Sequence, residues 1–173
     1  MYGLALIHAD LPPRAQFLHL VQALEALHSY EHRIEDEAAQ TAFTAERASA
    51  LEALNEAGLS QATLTFVRKN WSTRKQESLS RRLNDLIERI PASVRKSLTT
   101  PDMTAIADLL GVTEKPTLAN QYQRLRNDLS HGDRNFDVRA LLPWVRSIET
   151  LCRGHALRLL GFDDSAIESA LVS

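Results

Sequence analysis

Arg126, Asn127 and His131 sit within the run Arg126-Asn127-Asp128-Leu129-Ser130-His131, closed by Gly132, and their types and spacing suit chemistry on RNA. Arginine offers a planar fork of donors that matches a phosphate, and it stays charged at any working pH. Histidine gives or takes a proton near neutrality. In RNA the 2′-hydroxyl attacks the adjacent phosphorus once a base removes its proton, the charge on the phosphoryl oxygens is neutralised, and the leaving oxygen is protonated. No metal is obligatory in that scheme. His131, with an unperturbed pKa of about 6.5, serves as base or acid. Arg126 clamps the phosphate, and Asn127 orients the imidazole or a phosphate oxygen. The products are a 2′,3′-cyclic phosphate and a 5′-hydroxyl, and DNA is spared because it lacks the nucleophile.

The elements that must hold these residues read as helices almost throughout. Pro12 and Pro13 open the first, and Phe17, Leu20, Val21, Leu24 and Leu27 recur along it at helical steps. Thr44 is expected to cap a second helix stopping at Gly58, and Ser60 a third, although Thr63 to Val67 is β-prone. Thr73 with Gln76 has capping-box form ahead of an amphipathic helix through Leu79, Leu83, Leu86, Ile87 and Ile90 that ends at Pro91. Pro101 and Gly111 bracket a short helix, and residues 91–101 and 111–117 read as loops. Thr117 or a neighbouring residue starts the motif helix, whose buried stripe is Leu118, Tyr122, Leu125 and Leu129, and Gly132 stops it. Val138, Leu141, Leu142, Val145, Ile148, Cys152 and Leu159 predict a long helix reaching Gly161, and Asp163 or Asp164 caps a terminal one. The fold class is therefore all-α, one helical bundle over residues 1–173 with a short N-terminal arm at 1–11.

Composition bounds the function. The chain has 173 residues, 44% of them hydrophobic and 24% charged, which fits one globular domain. The single cysteine, Cys152, forms no internal disulfide, and no apolar run approaches the roughly 18 residues of a membrane span. The N-terminus lacks the pattern of a signal peptide, so a cytoplasmic location is expected. Net charge is -2 but unevenly spread: residues 1–64 hold three Lys/Arg against nine Asp/Glu, whereas 65–100 hold nine against three. Arg68, Lys69, Arg74, Lys75, Arg81 and Arg82 cluster there around Trp71, a composition suited to tracking a phosphate backbone while an indole stacks on a base. Arg124 adds a cation on the motif helix.

Arg-x-x-x-x-His with Asn directly after the Arg resembles the signature of the HEPN superfamily. The run from Phe17 to His28 is similar to the opening helix of ApeA-like HEPN domains from anti-phage defence. The resemblance implies a HEPN-type bundle paired as a two-fold homodimer with a composite active site. It also implies a metal-independent endoribonuclease of a toxin, defence or abortive-infection system acting on tRNA or mRNA, with Arg126 and His131 catalytic. No cofactor is implied. An antitoxin or sensor domain is the expected partner, because ApeA-like proteins typically carry a further domain before this one, whereas about sixteen residues precede the first stripe here. Glu25 and Asp128 are candidates for supporting the motif, Glu25 by pairing with Arg126. The alternative is a non-catalytic HEPN module that binds RNA or a nucleotide and mediates dimerisation.

A rival pattern is His28-Ser29-Tyr30-Glu31-His32, which fits the His-x-x-Glu-His of inverted zinc peptidases. It requires a third ligand such as Glu88 or Glu114, and His28 continues the apolar stripe of the first helix. Metal binding is therefore not expected. There is no glycine-rich phosphate loop to support nucleotide hydrolysis.

Overall fold

The computed structural model describes residues 11–73, 77–99, 103, 117–132 and 136–172, and these are helical with no strand among them. In chain order the helices are α1 (Pro13–Glu31), α2 (Arg33–Glu56), α3 (Gln61–Asn70), α4 (Leu79–Glu88), α5 (Ala92–Ser97), α6 (Leu118–His131), α7 (Val138–Leu159) and α8 (Asp164–Leu171). Two compact units result, one holding the chain up to His28 together with everything from Ser78 onward, the other Ser29–Glu77. No described helix is long and apolar enough to cross a membrane.

The first unit contains the motif helix. The side chains of Tyr122 and Leu125 on α6 are fully buried and Leu129 nearly so, among Phe17 and Val21 of α1, Leu83 and Leu86 of α4, and Trp144 and Ile148 of α7. Ala119 takes the buried place at the start of the stripe and Leu118 packs beside it, a shift of one position from the expected set. Tyr122 lies at the centre, with ring centroids 6.1 Å from both Phe17 and Trp144, the latter edge-on at 75°. Its hydroxyl is 2.5 Å from Ser147 Oγ. Ser147 in turn donates to the Leu98 carbonyl, so the phenol must be the donor to Ser147. This buried chain ties α6 to α7 and to the end of α5. Burial pushes the Tyr122 phenol far above its ordinary value of 10.0.

A second polar tie joins α7 to α4: buried His155 donates from Nε2 to the Leu86 carbonyl at 3.0 Å, while Arg158 Nε donates to its Nδ1 at 3.3 Å. Gly154 permits a close approach, since a Cβ there would stand 3.3 Å from Ile90 Cγ2 and 3.6 Å from Leu171 Cδ1. The second unit is smaller. There α2 and α3 pack together around Leu64, and no residue of α2 is fully buried.

Several caps are where the sequence puts them. Ser60 accepts from the Thr63 amide, Thr117 from Asn120 and Asp163 from Ala166. Others differ. Thr44 does not start a helix, because α2 runs unbroken from Arg33 and the Thr44 hydroxyl donates back to the Gln40 carbonyl one turn earlier. Ser78, not Thr73, caps α4 by accepting from the Arg81 amide; Gln76 lies outside the described residues. Residues 92–97, read as loop, form α5, which Pro91 initiates and buried Val94 and Leu98 anchor four residues apart. On α7 the buried seam is Leu141, Trp144, Val145, Ile148 and Leu151, leaving Val138, Leu142 and Leu159 exposed and Cys152 half-buried. The run from Thr63 to Val67 is helical, its β-preference overridden by burial of Leu64 and the Ser60 cap. The helix bracketed by Pro101 and Gly111, and the arm at residues 1–10, lie outside the described residues.

Two outcomes follow from the central phenol. Tyr122→Phe should lower unfolding free energy by about 0.5–1.5 kcal/mol at neutral pH, read from urea midpoints. Since the folded state holds the phenol proton more tightly than the unfolded chain, the unfolded chain binds fewer protons once pH exceeds about 10, and stability must fall there. That alkaline loss should be smaller in Tyr122→Phe, and an equal loss in both proteins would contradict the buried, neutral tyrosine.

Candidate active site at the end of the motif helix

Burial of one stripe of α6 places the remaining residues of its last two turns toward solvent. Arg126, Asn127 and Asp128 are half-buried, and His131 is exposed at the final helical position. Gly132 ends the helix in the left-handed conformation, φ 72°, and its amide closes onto the Asp128 carbonyl at 3.1 Å. An L side chain resists that conformation, so the glycine fixes where the helix stops and where His131 stands.

The structure brings Arg126 and Asn127 together: Arg126 Nη1 donates to Asn127 Oδ1 at 3.3 Å. On a helix of 3.6 residues per turn Asn127 and His131 are about 40° apart, whereas Arg126 and His131 are separated by about 140°. The bond to Asn127 therefore draws the guanidinium round toward the face that His131 occupies. Asn127 acts here on the arginine rather than on the imidazole. Glu25 is half-buried on α1, and the described partner of Arg126 is Asn127.

A residue that sequence reading missed joins this end. Arg14, in the first turn of α1, donates from Nη2 to the Leu129 carbonyl, and the same nitrogen would stand 3.8 Å from a Cβ on Gly132. Only one signal for it existed in the sequence. A cation in a first helical turn opposes the local dipole, which invites the question of what else holds it there.

The basic segment is divided between the two units. Arg68 and Lys69, exposed, and Trp71, half-buried, belong to the second, where the Arg47 guanidinium covers one face of the indole at 5.9 Å and Arg47 Nη2 donates to the Arg68 carbonyl at 3.1 Å. Arg81 and Arg124, exposed, and Arg82, half-buried, belong to the first. Arg74 and Lys75 lie outside the described residues. Ser80 at the start of α4 donates its amide to Gln123 Oε1 at 2.7 Å, which fixes α4 to α6 one turn before Asn127.

Other chemistry-bearing residues are engaged structurally. His28 is buried with Nε2 3.3 Å from Asp85 Oδ2, and Arg89 also reaches that carboxylate at 2.9 Å. Glu88, the suggested third zinc ligand, is paired with Arg95, and Glu114 lies outside the described residues. Burial, reinforced by the charge of Glu149, pushes the Cys152 thiol up to about 12, so it is no nucleophile near neutrality.

An all-helical unit ending its motif helix in Arg-Asn-x-x-x-His defines a HEPN-type domain. The chain belongs to the Apea-like HEPN family, whose model matches residues 18–166. No curated protein and no solved structure matches the chain. Membership supports a ribonuclease or nucleotide-binding role at the coarse level.

Two measurements check the local account. Gly132→Ala should cost about 1–2 kcal/mol of stability, the penalty of a left-handed alanine. Cys152 should alkylate at pH 8 at least roughly tenfold more slowly in the folded protein than in urea, followed by mass spectrometry; equal rates would contradict its protected state.

Proposed function

We propose that this protein is a metal-independent endoribonuclease of a defence or toxin system, cleaving RNA by attack of the 2′-hydroxyl to leave 2′,3′-cyclic phosphate and 5′-hydroxyl ends. The observation that carries the reading is the Arg126–Asn127 pair directed toward the face of exposed His131, on a helix end fixed by Gly132. Asn127 orients the Arg126 fork, which stabilises the charge that develops on the phosphoryl oxygens. His131 is exposed, so it meets substrate without any rearrangement of the core, and it exchanges the proton of the attacking or leaving oxygen.

One catalytic histidine serves one of the two proton transfers at a time. Pairing of two α6 ends about a two-fold axis supplies a second histidine and a second arginine to a shared cleft, and we take the active form to be such a homodimer. Within the first unit Arg81, Arg82 and Arg124 give cations for phosphates of a tRNA or mRNA, and the second unit, taken by itself, offers Arg68 and Lys69 for the same kind of contact. The half-buried Trp71 indole, covered on one face by Arg47, is the aromatic group of this segment on which a base would stack. A separate antitoxin or sensor domain would govern when the enzyme acts.

The test is incubation of wild type, His131→Ala and Arg126→Ala with cellular RNA in excess EDTA, followed by mapping of the cut ends. Wild type should leave cyclic phosphates. Each variant should lose at least about a hundredfold in rate, the scale of a lost proton donor or charge clamp, while keeping RNA affinity within about tenfold. Binding by all three without cleavage would instead support a non-catalytic RNA-binding module. Equal cleavage by all three would place the active site elsewhere.

A further inference from the structure

Three arginines of α7 recur at intervals of seven: Arg139, Arg146 and Arg153. Seven residues are close to two helical turns, so successive members drift by only about 20° round the axis. They form one line along the helix, in steps of about 10 Å and with a total reach of about 21 Å. That line lies on the solvent-facing crest of α7, opposite the seam of Trp144, Ile148 and Leu151, and all three side chains are exposed.

Neighbours do not take up these charges. Among the described residues none of the three guanidinium groups makes an ion pair or a side-chain hydrogen bond, and Glu149, the single acid of α7, makes none with them. Glu149 lies about 60° to one side of Arg146, and its charge bears on the Cys152 thiol, further round the helix. Like charges in a row repel, and a polyanion running along the same line relieves the repulsion. Phosphates follow one another at about 3.4 Å of axis along a nucleic-acid strand, so each arginine of the row meets one within the sweep of its side chain, and the planar fork suits it. A second copy offering the same face would instead set arginine against arginine.

The row also starts in the right place. Tyr122, nine residues before His131, is hydrogen-bonded to Ser147, nine residues after Val138, and six residues link the two helices. The start of α7 therefore lies at the end of α6 that carries His131, with Arg139 nearest to that end and Arg153 farthest from it.

We propose that Arg139, Arg146 and Arg153 form a phosphate-binding ridge that carries an RNA strand along α7, leading from the helix end that holds His131. The assignment rests on the reading of that end as an RNA site. It adds three binding residues and a direction for the strand.

The experiment measures binding of the full-length chain to a single-stranded 2′-O-methyl RNA oligonucleotide, which the proposed chemistry cannot cut, across a series of NaCl concentrations. Wild type is compared with Arg146→Gln, with the triple change of Arg139, Arg146 and Arg153 to Gln, and with the matching triple change to Lys. Gln and Lys sustain a helix nearly as well as Arg, so α7 is kept. Arg146→Gln should flatten the slope of log affinity against log salt by about 0.7, and the triple Gln variant by about 2, the values for one and three lost phosphate contacts on a single strand. The triple Lys variant should keep the wild-type slope. A wild-type slope in the triple Gln variant overturns the proposal and leaves the ridge to an acidic protein surface. The same slope accompanied by a changed oligomeric state in sedimentation assigns the ridge to a second copy and overturns it equally. Failure of wild type to bind the oligonucleotide overturns both this proposal and the nuclease reading. Graded flattening, with wild type unable to cleave the matching 2′-hydroxyl strand, supports the ridge and overturns the nuclease reading alone.

Discussion

The seating of one face of α6 against α1, α4 and α7 is the constraint on which the rest of the first unit depends. Tyr122 is buried on that face and cannot satisfy its hydroxyl with water, so its bond to Ser147, and through Ser147 to the Leu98 carbonyl, fixes both rotation and depth. Rotation is what matters for function. Turning α6 by one residue would move Arg126 by about 100° and bring a polar side chain into the core. Aromatic contacts on both sides of Tyr122, from Phe17 and Trp144, make that turn costly. The solvent-facing side of α6 thus gains its precision from the face that is buried.

Once rotation is fixed, the end of the helix decides the geometry of the site. Gly132 stops α6 immediately after His131, and Arg14 grips the carbonyl two residues before it. Both devices act on backbone, so they define the last turn without occupying the side chains that face solvent. The Arg126–Asn127 bond then narrows the range of a long and flexible cation. The Apea-like HEPN family model matches residues 18–166, a span that includes all of α6.

Much of this was legible in the sequence because the relevant signals are local. Thr117 and Gly132 bracket the motif helix through capping and positive-φ chemistry, and the spacing of Tyr122, Leu125 and Leu129 marks its buried side. The misreadings have a common cause. Thr44 and Thr73 have cap-type side chains, but whether such a side chain caps a helix depends on what precedes it, and the polar stretch after Arg33 gives no apolar period to reveal that α2 already runs there. On α7, nearly every position from Val138 to Val145 is apolar, so periodicity could not choose between seams; the choice was made by Trp144, Ile148 and Leu151 packing into the shared core. The contact of Arg14 with Leu129 spans 115 residues and leaves no periodic trace. For the same reason, the basic segment looked like one patch in the sequence and is distributed over two units in the fold.

The central claim is that the RNA supplies its own nucleophile while Arg126 and His131 stabilise charge and move protons. Its most direct test is a single atom in the substrate. A ribo-oligonucleotide carrying one 2′-deoxy residue immediately 5′ to a mapped cleavage position, incubated with wild-type protein in EDTA, should resist cutting at that bond while neighbouring bonds of the same strand are still cleaved. Cleavage at the substituted bond at the rate of the unmodified strand would contradict the account.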